Sequence, residues 1–377
     1  MNINVNIMKL VVDLLGFEYG KSYGFQEYLF NLLDDFCKYR DKILAKRIVL
    51  LVQSSQSKYF RERFGDVFVY KCFTCSSLFS RIFKEGQIIG GLKLEQQDIL
   101  LFVGNTMPIV NTKAKKVLVV HDLLFRHGAF FSKTPYYYLF RLHRYFYIPY
   151  SLAKADKIIA ISNFTKNEIS KAYNVPEEKI ETIYNYFNFD KYDKDKLTEK
   201  SVIHGKYILC VCANYKHKNH ITVLKAFEQF CKVNKDFNLV FIGSLSSDAY
   251  DFIRQLDSSV KNKILIRQHL TNADMKKVYT NASMFVSASL YEGLGMPVVE
   301  ALYFGLPTLL SDISIHHEVS MDMAQYFPSL SYEVLSELFV ENATHRKNND
   351  TVLKSTLIKL YDKDNTSMRY INLLNHI

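Results

Sequence analysis

Long apolar runs are missing from this chain of 377 residues; no stretch approaches the ~18 consecutive apolar residues that a membrane-spanning helix needs. The N-terminus, MNINVNIMK, also lacks the apolar core of a signal peptide. These absences make the cytoplasm the expected location and argue against a chain that spans the membrane. Cysteine is sparse, at six, and scattered. Cys72 and Cys75 have no second metal-ligand pair nearby, and Cys210 and Cys212 alternate with apolar residues where a strand is expected. Neither a disulfide framework nor a zinc site follows; reduced intracellular thiols fit better. Proline is scarce, at 7, and neither a low-complexity tract nor an internal repeat interrupts a composition with 48% hydrophobic residues. The chain reads as folded and globular. What it has in excess is positive charge, +10 net. No zinc-finger spacing, basic zipper or compact recognition-helix pattern accompanies that charge, which leaves nucleic acid the weakest candidate partner. An anionic small molecule or an anionic bilayer fits the same balance, and charge alone does not choose between them.

A length of 377 exceeds the size at which single cores stop growing, so two domains are expected. Residues 8–14 have the apolar core of a strand, and a polar, glycine-punctuated loop follows to Gly24. Phe25, Tyr28, Leu29, Leu32, Leu33 and Phe36 then recur at helical spacing. Further strands are expected at 47–52, 67–70, 99–103, 116–120, 157–161 and 180–183. Their cores are short runs without long polar faces, as in parallel strands covered on both sides. A strongly aromatic helical stretch precedes 157–161, and Ser162 or Asn163 is placed to cap a helix through Ala172. The charged stretch 188–205 then reads as a linker. Strands follow at 207–211, 237–242, 264–267 and 284–286, with helices at 220–230, 250–258, 271–281 and 297–304. The expected division is a domain 1–190, a linker 191–205, a domain 206–350 and a helical segment 351–377.

The richest segment is 287–312, SASLYEGLGMPVVEALYFGLPTLLSD. It places Glu292 and Glu300 on either side of a Gly293-Leu294-Gly295 turn, between apolar strands at 284–286 and 308–310. Pro297 suits a helix start, where its missing N–H would have no partner anyway. Helix starts at the carboxyl ends of parallel strands offer unpaired N–H groups to anions. Glu292 precedes the helix and Glu300 is expected in its first turn, so one carboxylate can reach a strand-end crevice while the other lines its wall. Carboxylates suit hydroxyl groups rather than polyanions. Beside N–H groups for phosphates, they describe a site for a sugar nucleotide.

Residues 291–300, YEGLGMPVVE, resemble the E-x7-E signature of the family-4 retaining glycosyltransferases. That resemblance implies an α/β chain of GT-B architecture, two Rossmann-like domains with parallel sheets facing an inter-domain cleft. The first domain would bind the acceptor and the second the nucleotide sugar, with the C-terminal helical segment returning to the first. The resemblance also implies roles. Glu300 would accept hydrogen bonds from ribose hydroxyls; the plainer alternative is an acid favoured by the helix N-terminus. Glu292 would contact hydroxyls of the transferred sugar and stabilise positive charge near its anomeric carbon. Backbone N–H groups of Leu294, Gly295 and Met296 would hold the diphosphate, with Gly293 and Gly295 letting the chain turn beneath it. Lys218 and Asn219 match the family's K-N pair, making Lys218 the expected cation for the leaving diphosphate. The other half of that motif departs, since Cys212 stands where glycine is usual and Ala213 where arginine is most common. Lys216 is the nearest replacement charge.

His121-Asp122-Leu123 resembles the family's first-domain contact to the donor sugar, with His121 donating to a hydroxyl or phosphate. Gly24 and Tyr28 match part of the family's G-x-G-R-Y loop, in which Gly24 permits close approach of donor and acceptor. Asn105 and Thr106, after the strand 99–103, are candidate walls of the acceptor pocket. Arg267, at a strand end, is a candidate contact to the base or diphosphate.

The implied reaction moves a glycosyl unit from a nucleoside-diphosphate sugar to an acceptor hydroxyl with retention. No enzyme nucleophile is expected, because Glu300 belongs near the ribose. No Asp-x-Asp arrangement beside these segments supports a metal-bridged diphosphate, so neither metal nor cofactor is expected. The EGLGMP and HDL segments look like those of bacterial polysaccharide and O-antigen enzymes using mannose or related sugars. This favours GDP-mannose, with UDP- and dTDP-sugars open. A lipid-linked oligosaccharide is the expected acceptor, and residues 135–150, PYYYLFRLHRYFYIPY, are expected to meet an anionic membrane surface. Their helical spacing equally allows packing into the first domain. Two other readings stay open: a nucleotide-sugar epimerase of the same architecture, for which no acid–base residues are identified, and a non-catalytic nucleotide-sugar-binding protein, suggested by Ala213.

Overall fold

Short runs such as Ile99–Phe102 and Thr308–Ser311 are buried along their whole length, which only a sheet covered on both faces provides. The computed structural model describes residues 7–20, 23–74, 78–130, 134–187, 189, 203–344 and 351–377. The chain divides into two units. The first comprises Met1–Arg126, Lys133–Asn185 and Lys363–Ile377, and the second His127–Ser132 and Tyr186–Asp362.

In the first unit β1 (Lys9–Asp13), β2 (Arg47–Gln53), β3 (Val69–Phe73), β4 (Ile99–Phe102), β5 (Lys115–Val120), β6 (Lys157–Ala160) and β7 (Ile180–Thr182) form one sheet, ordered β3-β2-β1-β4-β5-β6-β7. In the second, β8 (Lys206–Cys212), β9 (Phe237–Gly243), β10 (Ile264–Arg267), β11 (Met284–Ser287), β12 (Thr308–Ser311) and β13 (Gln325–Phe327) are ordered β10-β9-β8-β11-β12-β13. All pairings are parallel. Each unit is thus a Rossmann-like α/β sheet, the pair expected of GT-B architecture. Strand order reverses between β1 and β4 in one sheet and between β8 and β11 in the other. Loops leaving the two sides of such a reversal diverge and open a crevice at the strands' carboxyl ends. In the second unit the loops after β8 and β11 flank that crevice, above a core that includes Phe227, Phe230, Phe237, Phe241 and Phe339.

Several elements lie beyond the sequence reading: the helices Ser57–Phe64, Leu78–Gly90, Ser314–Ser320 and Tyr332–Asn342, and the strand β13. Most of the charged stretch 191–205 lies outside the described residues. The C-terminal segment is divided, with the helix Thr351–Leu360 in the second unit and the helix Lys363–His376 in the first. The latter is held there by Tyr370 Oη on Tyr28 Oη at 2.6 Å, Ser367 Oγ on Asp35 Oδ2 at 2.7 Å and Arg369 on the Thr182 carbonyl at 2.7 Å.

The aromatic stretch forms the helix Pro135–Lys154. Its buried side uses Ile148, Ser151 and Leu152, while Tyr138, Tyr145 and Phe146 are 66%, 63% and 67% exposed, beside exposed Leu139 and Leu142. Of the residues that carry the helical spacing, Tyr138, Leu142, Tyr145 and Phe146 are thus exposed rather than packed in the core, while Arg141 is half-buried and donates to the Phe125 carbonyl at 3.1 Å. Among the described residues no helix is long and apolar enough to cross a membrane.

His317 clasps both ends of its own short helix. Its Nε2 lies 2.8 Å from Asp312 Oδ1, ahead of the helix, and its Nδ1 lies 2.5 Å from Asp322 Oδ1, after it. Hydrogen bonds to Asp312 and Asp322 raise the pKa of this ring. The native state then keeps a proton that the unfolded chain sheds near pH 6.5, so the clasp contributes fully below about that pH and fades as pH rises through the raised native value. Melting curves between about pH 6 and 9 should show wild-type stability falling by a small component that His317→Gln lacks, small because the exposed ring is solvent-screened. Parallel pH slopes for the two proteins would contradict the clasp.

Candidate functional site

In the second unit β8 ends at Cys212, and the chain tightens into the turn Lys216–Lys218, closed by the Lys218 N–H on the Tyr215 carbonyl at 3.0 Å. Asn219 follows in the left-handed region, at φ 52°, and opens the helix His220–Phe230. On the other side of the strand reversal β11 ends at Ser287 and the chain runs through Ser289 and Glu292 into the helix Met296–Tyr303. A backbone bond ties the two loops together, the Leu290 N–H on the His217 carbonyl at 2.7 Å.

That tie brings Lys218 and Glu292 into contact. Lys218 Nζ donates to Glu292 Oε1 at 2.5 Å, with the two side chains 19% and 12% exposed, and Ser289 Oγ donates to the same oxygen at 2.6 Å. Burial alone would raise the Glu292 pKa. The Lys218 ammonium, the neighbouring His217 ring and hydrogen bonds from Lys218 and Ser289 outweigh it and bring the carboxyl down to about 2. Glu292 is therefore a fixed carboxylate at neutral pH. Lys216, at the start of the turn, is exposed.

Gly295, at φ 88°, precedes the helix start in a conformation that L side chains rarely adopt, so glycine is needed there for its backbone alone. Gly293 shares the turn without a positive φ. No described residue accepts a hydrogen bond from the backbone N–H groups of Leu294, Gly295 or Met296. Glu300 lies one residue deeper in the helix than the sequence suggested, just beyond its first turn, because the helix begins at Met296 and the acid is its fifth residue. It is buried and accepts a hydrogen bond from Tyr279 Oη, whose ring stacks on Phe304 at 5.4 Å. Ser289 and Tyr279 were not singled out in the sequence. The short spacing from Ser289 to Glu292 was a legible signal for the first; nothing local marks Tyr279. Arg267 sits on the edge strand β10, exposed, with its guanidinium turned back to the Ile266 carbonyl at 3.0 Å, and the structure does not bring it to Lys218 or Glu292.

In the first unit His121 follows β5. Its Nε2 lies 2.8 Å from the Val103 carbonyl, which can only accept, so Nε2 carries the proton. Burial lowers the ring's pKa, against the Val103 carbonyl and Asp122, and the neutral ring keeps an accepting Nδ1. The expected role as a donor to a ligand is therefore corrected: that proton is already committed, and the neutral ring can only accept. Phe25 and Tyr28 meet it edge-on at 5.3 and 4.7 Å. Asn105 also departs from expectation. It is buried at φ 65°, and its Oδ1 accepts the His121 backbone N–H at 2.6 Å, so it holds the loop rather than walling a pocket. Thr106 is half-buried beside it, its N–H on the Gly104 carbonyl at 2.8 Å. Gly24 lies inside the helix Tyr23–Lys38 rather than in a loop before it, and a Cβ there would meet open space. Among the described residues no group of three or more His, Cys, Asp or Glu could hold a metal ion.

The model of glycosyl transferases group 1 matches residues 193–325, and that of Glycosyltransferase Family 4 matches residues 59–191. O-antigen chain mannosyltransferase RfbU of Salmonella typhimurium is 27% identical over 239 residues, 62% of this chain and 62% of its own length. Serotype-specific mannosyltransferase WbdA of Escherichia coli is 28% identical over 141 residues, 35% of this chain and 17% of its own. The chain thus spans less than two thirds of each of these relatives. Among solved structures, HepE of Anabaena in complex with UDP and glucose superposes with a TM-score of 0.69 at 13% identity, covering 98% of this chain and 100% of that one. Similarity at that identity speaks for the fold.

Proposed function

We propose that this chain, whose two halves match the models of glycosyl transferases group 1 and Glycosyltransferase Family 4 and which is similar to bacterial O-antigen mannosyltransferases, moves a hexosyl unit, mannose or a related sugar, from a nucleoside-diphosphate donor to a saccharide hydroxyl. The anomeric configuration is retained and no metal takes part. The observation that carries the reading is the pairing of Lys218 with Glu292 across the β8–β11 reversal, beside backbone N–H groups with no described protein acceptor.

The donor's diphosphate is assigned to Lys218 and the N–H groups of Leu294, Gly295 and Met296, with Gly293 in the same turn and Lys216 close enough in sequence to add charge. Glu300, oriented by Tyr279, receives the ribose hydroxyls. As the sugar–phosphate bond breaks, positive charge grows at the anomeric carbon and negative charge on the diphosphate. Glu292 favours the first and Lys218 the second. The acceptor oxygen bonds to the anomeric carbon on the face the phosphate leaves, and the phosphate takes the acceptor's proton. Glycosidases use two carboxylates around one bond, but here Glu300 is engaged by Tyr279 and assigned to the ribose, so it is no second catalytic acid. His121 is assigned to accept from a sugar hydroxyl, and Gly24 and Thr106 to the acceptor. Arg267 is left for the nucleotide base. GDP-mannose is the favoured donor, supported by the mannosyltransferase names of the relatives.

Steady-state kinetics with an authenticated donor tests the assignment. Glu300→Ala should raise donor KM by about tenfold or more, because ribose contacts are made equally in ground and transition states, whereas Glu292→Gln should mainly lower kcat. Product should form after exhaustive EDTA treatment. Near-native kinetics in both variants, or activity lost to EDTA and restored by Mg²⁺ or Mn²⁺, would overturn the corresponding part of the reading. A nucleotide-sugar panel read by product mass decides the donor; a UDP-sugar preference would displace GDP-mannose, and binding without turnover would favour a non-catalytic binder.

The acceptor is proposed to be a lipid-linked oligosaccharide, reached from the cytoplasmic face of a membrane. Support comes from the helix Pro135–Lys154, whose exposed Tyr138, Leu139, Leu142, Tyr145 and Phe146 accompany Arg141 and Arg144 in a chain of net charge +10. Rings can enter the headgroup boundary while basic groups meet lipid phosphate. Co-sedimentation with anionic vesicles should rise with the anionic lipid fraction, fall with salt and weaken in a Tyr145→Ser, Phe146→Ser double variant. Equal sedimentation with neutral and anionic vesicles, or no effect of the double variant, would contradict this face.

A further inference from the structure

Both hydrogen bonds described at the Glu292 carboxylate converge on one oxygen. Lys218 Nζ and Ser289 Oγ reach Oε1 at 2.5 and 2.6 Å, and no described hydrogen bond falls on Oε2. In the reading above, Lys218 also serves the diphosphate, so its hold on Glu292 weakens as negative charge builds on the leaving group. Ser289 has no such second duty. It is only 2% exposed, and its carbonyl accepts Ser311 Oγ at 2.5 Å, at the end of β12. Ser311 is itself fully buried, and its carbonyl lies 2.8 Å from Nδ1 of buried His316. That carbonyl can only accept, so Nδ1 carries the proton. The neighbouring Leu290 N–H binds the His217 carbonyl. Ser289 is therefore pinned from β12 on one side and from the lysine turn on the other.

We propose that Ser289 is a positioning residue: it holds Glu292 through Oε1 and so presents Oε2 to the donor sugar, independently of where Lys218 goes. The inference rests on the role assigned to Glu292. A hydroxyl donating to a carboxylate makes a short, charge-assisted bond that fixes the group's rotation and favours its ionised form. Ser311 and His316 act one step further back, by fixing the backbone from which the Ser289 hydroxyl extends.

The test compares wild type with Ser289→Ala, Ser289→Thr and Glu292→Gln in steady-state kinetics across pH, using a donor the wild type turns over. Ser289→Ala should lower kcat by about tenfold, the loss expected for a hydrogen bond to a charged group, while donor KM changes less than about threefold. Its acid limb in kcat should move to higher pH, because a carboxylate that loses a donor protonates more readily. Ser289→Thr should restore both. If Ser289→Ala matches wild type while Glu292→Gln is inactive, the inference is overturned and the Glu292 assignment stands. Wild-type rates in Glu292→Gln overturn both. A fall in kcat with an unmoved acid limb overturns the inference too, since it assigns Ser289 a merely structural part. Should Ser289→Ala fail to fold, Ser289→Cys keeps the volume with a weaker donor and carries the same expectation for the acid limb; an unshifted limb there is equally contrary.

Discussion

The ion pair between Lys218 and Glu292 is the contact around which the strand ends of the second unit are arranged. It spans the one place in that sheet where neighbouring strands, β8 and β11, send their loops in opposite directions. Two charges with side chains 19% and 12% exposed are costly to withdraw from water, and each offsets the other's desolvation only while both are present. The result is a carboxylate held far into its ionised form, with a carboxyl pKa of about 2, and an ammonium held at the mouth of a helix-start loop. In the proposed reading a diphosphate at that loop would compete for Lys218 and leave Glu292, still held by Ser289, facing the sugar, where a carboxylate is wanted as positive charge develops.

The two acids are supported in the same way. Each accepts from a buried hydroxyl that comes from a different stretch of chain: Ser289 from the loop after β11, Tyr279 from the helix Asn272–Asn281. A hydroxyl donor fixes the orientation of a carboxylate while leaving it further lone pairs, which the proposed reading gives to ligand hydroxyls. The side proposed for phosphate has complementary parts, namely a cation and N–H groups that the protein leaves without an acceptor of its own among the described residues. In that reading sugar-facing acceptors and phosphate-facing donors are separated along one pair of loops and the helix Met296–Tyr303.

Much of this was legible in the sequence. Strand cores such as Ile264–Arg267 and the helix His220–Phe230 follow from period and length alone, and they appear at the expected residues. The E-x7-E spacing and the K-N pair located both loops. What stayed hidden has physical causes. Glu300 falls one residue beyond the expected first turn because the left-handed Gly295, rather than Pro297, sets where the helix begins. Asn105 looked like a wall residue since its side chain's partner, the His121 N–H, is distant in sequence. His121 was expected to donate, but the choice of ring nitrogen depends on the Val103 carbonyl, which no spacing reveals. The helices Ser57–Phe64 and Ser314–Ser320 are short, and their polar faces left too little period to read.

A structure of the protein with a nucleoside diphosphate bound would test the central claim most directly. The expected result places Lys218 Nζ and the N–H groups of Leu294, Gly295 and Met296 within hydrogen-bonding distance of phosphate oxygens, the ribose hydroxyls on Glu300, and Glu292 still held by Ser289. A diphosphate bound elsewhere, with the Lys218–Glu292 bond undisturbed and the ribose away from Glu300, would contradict it.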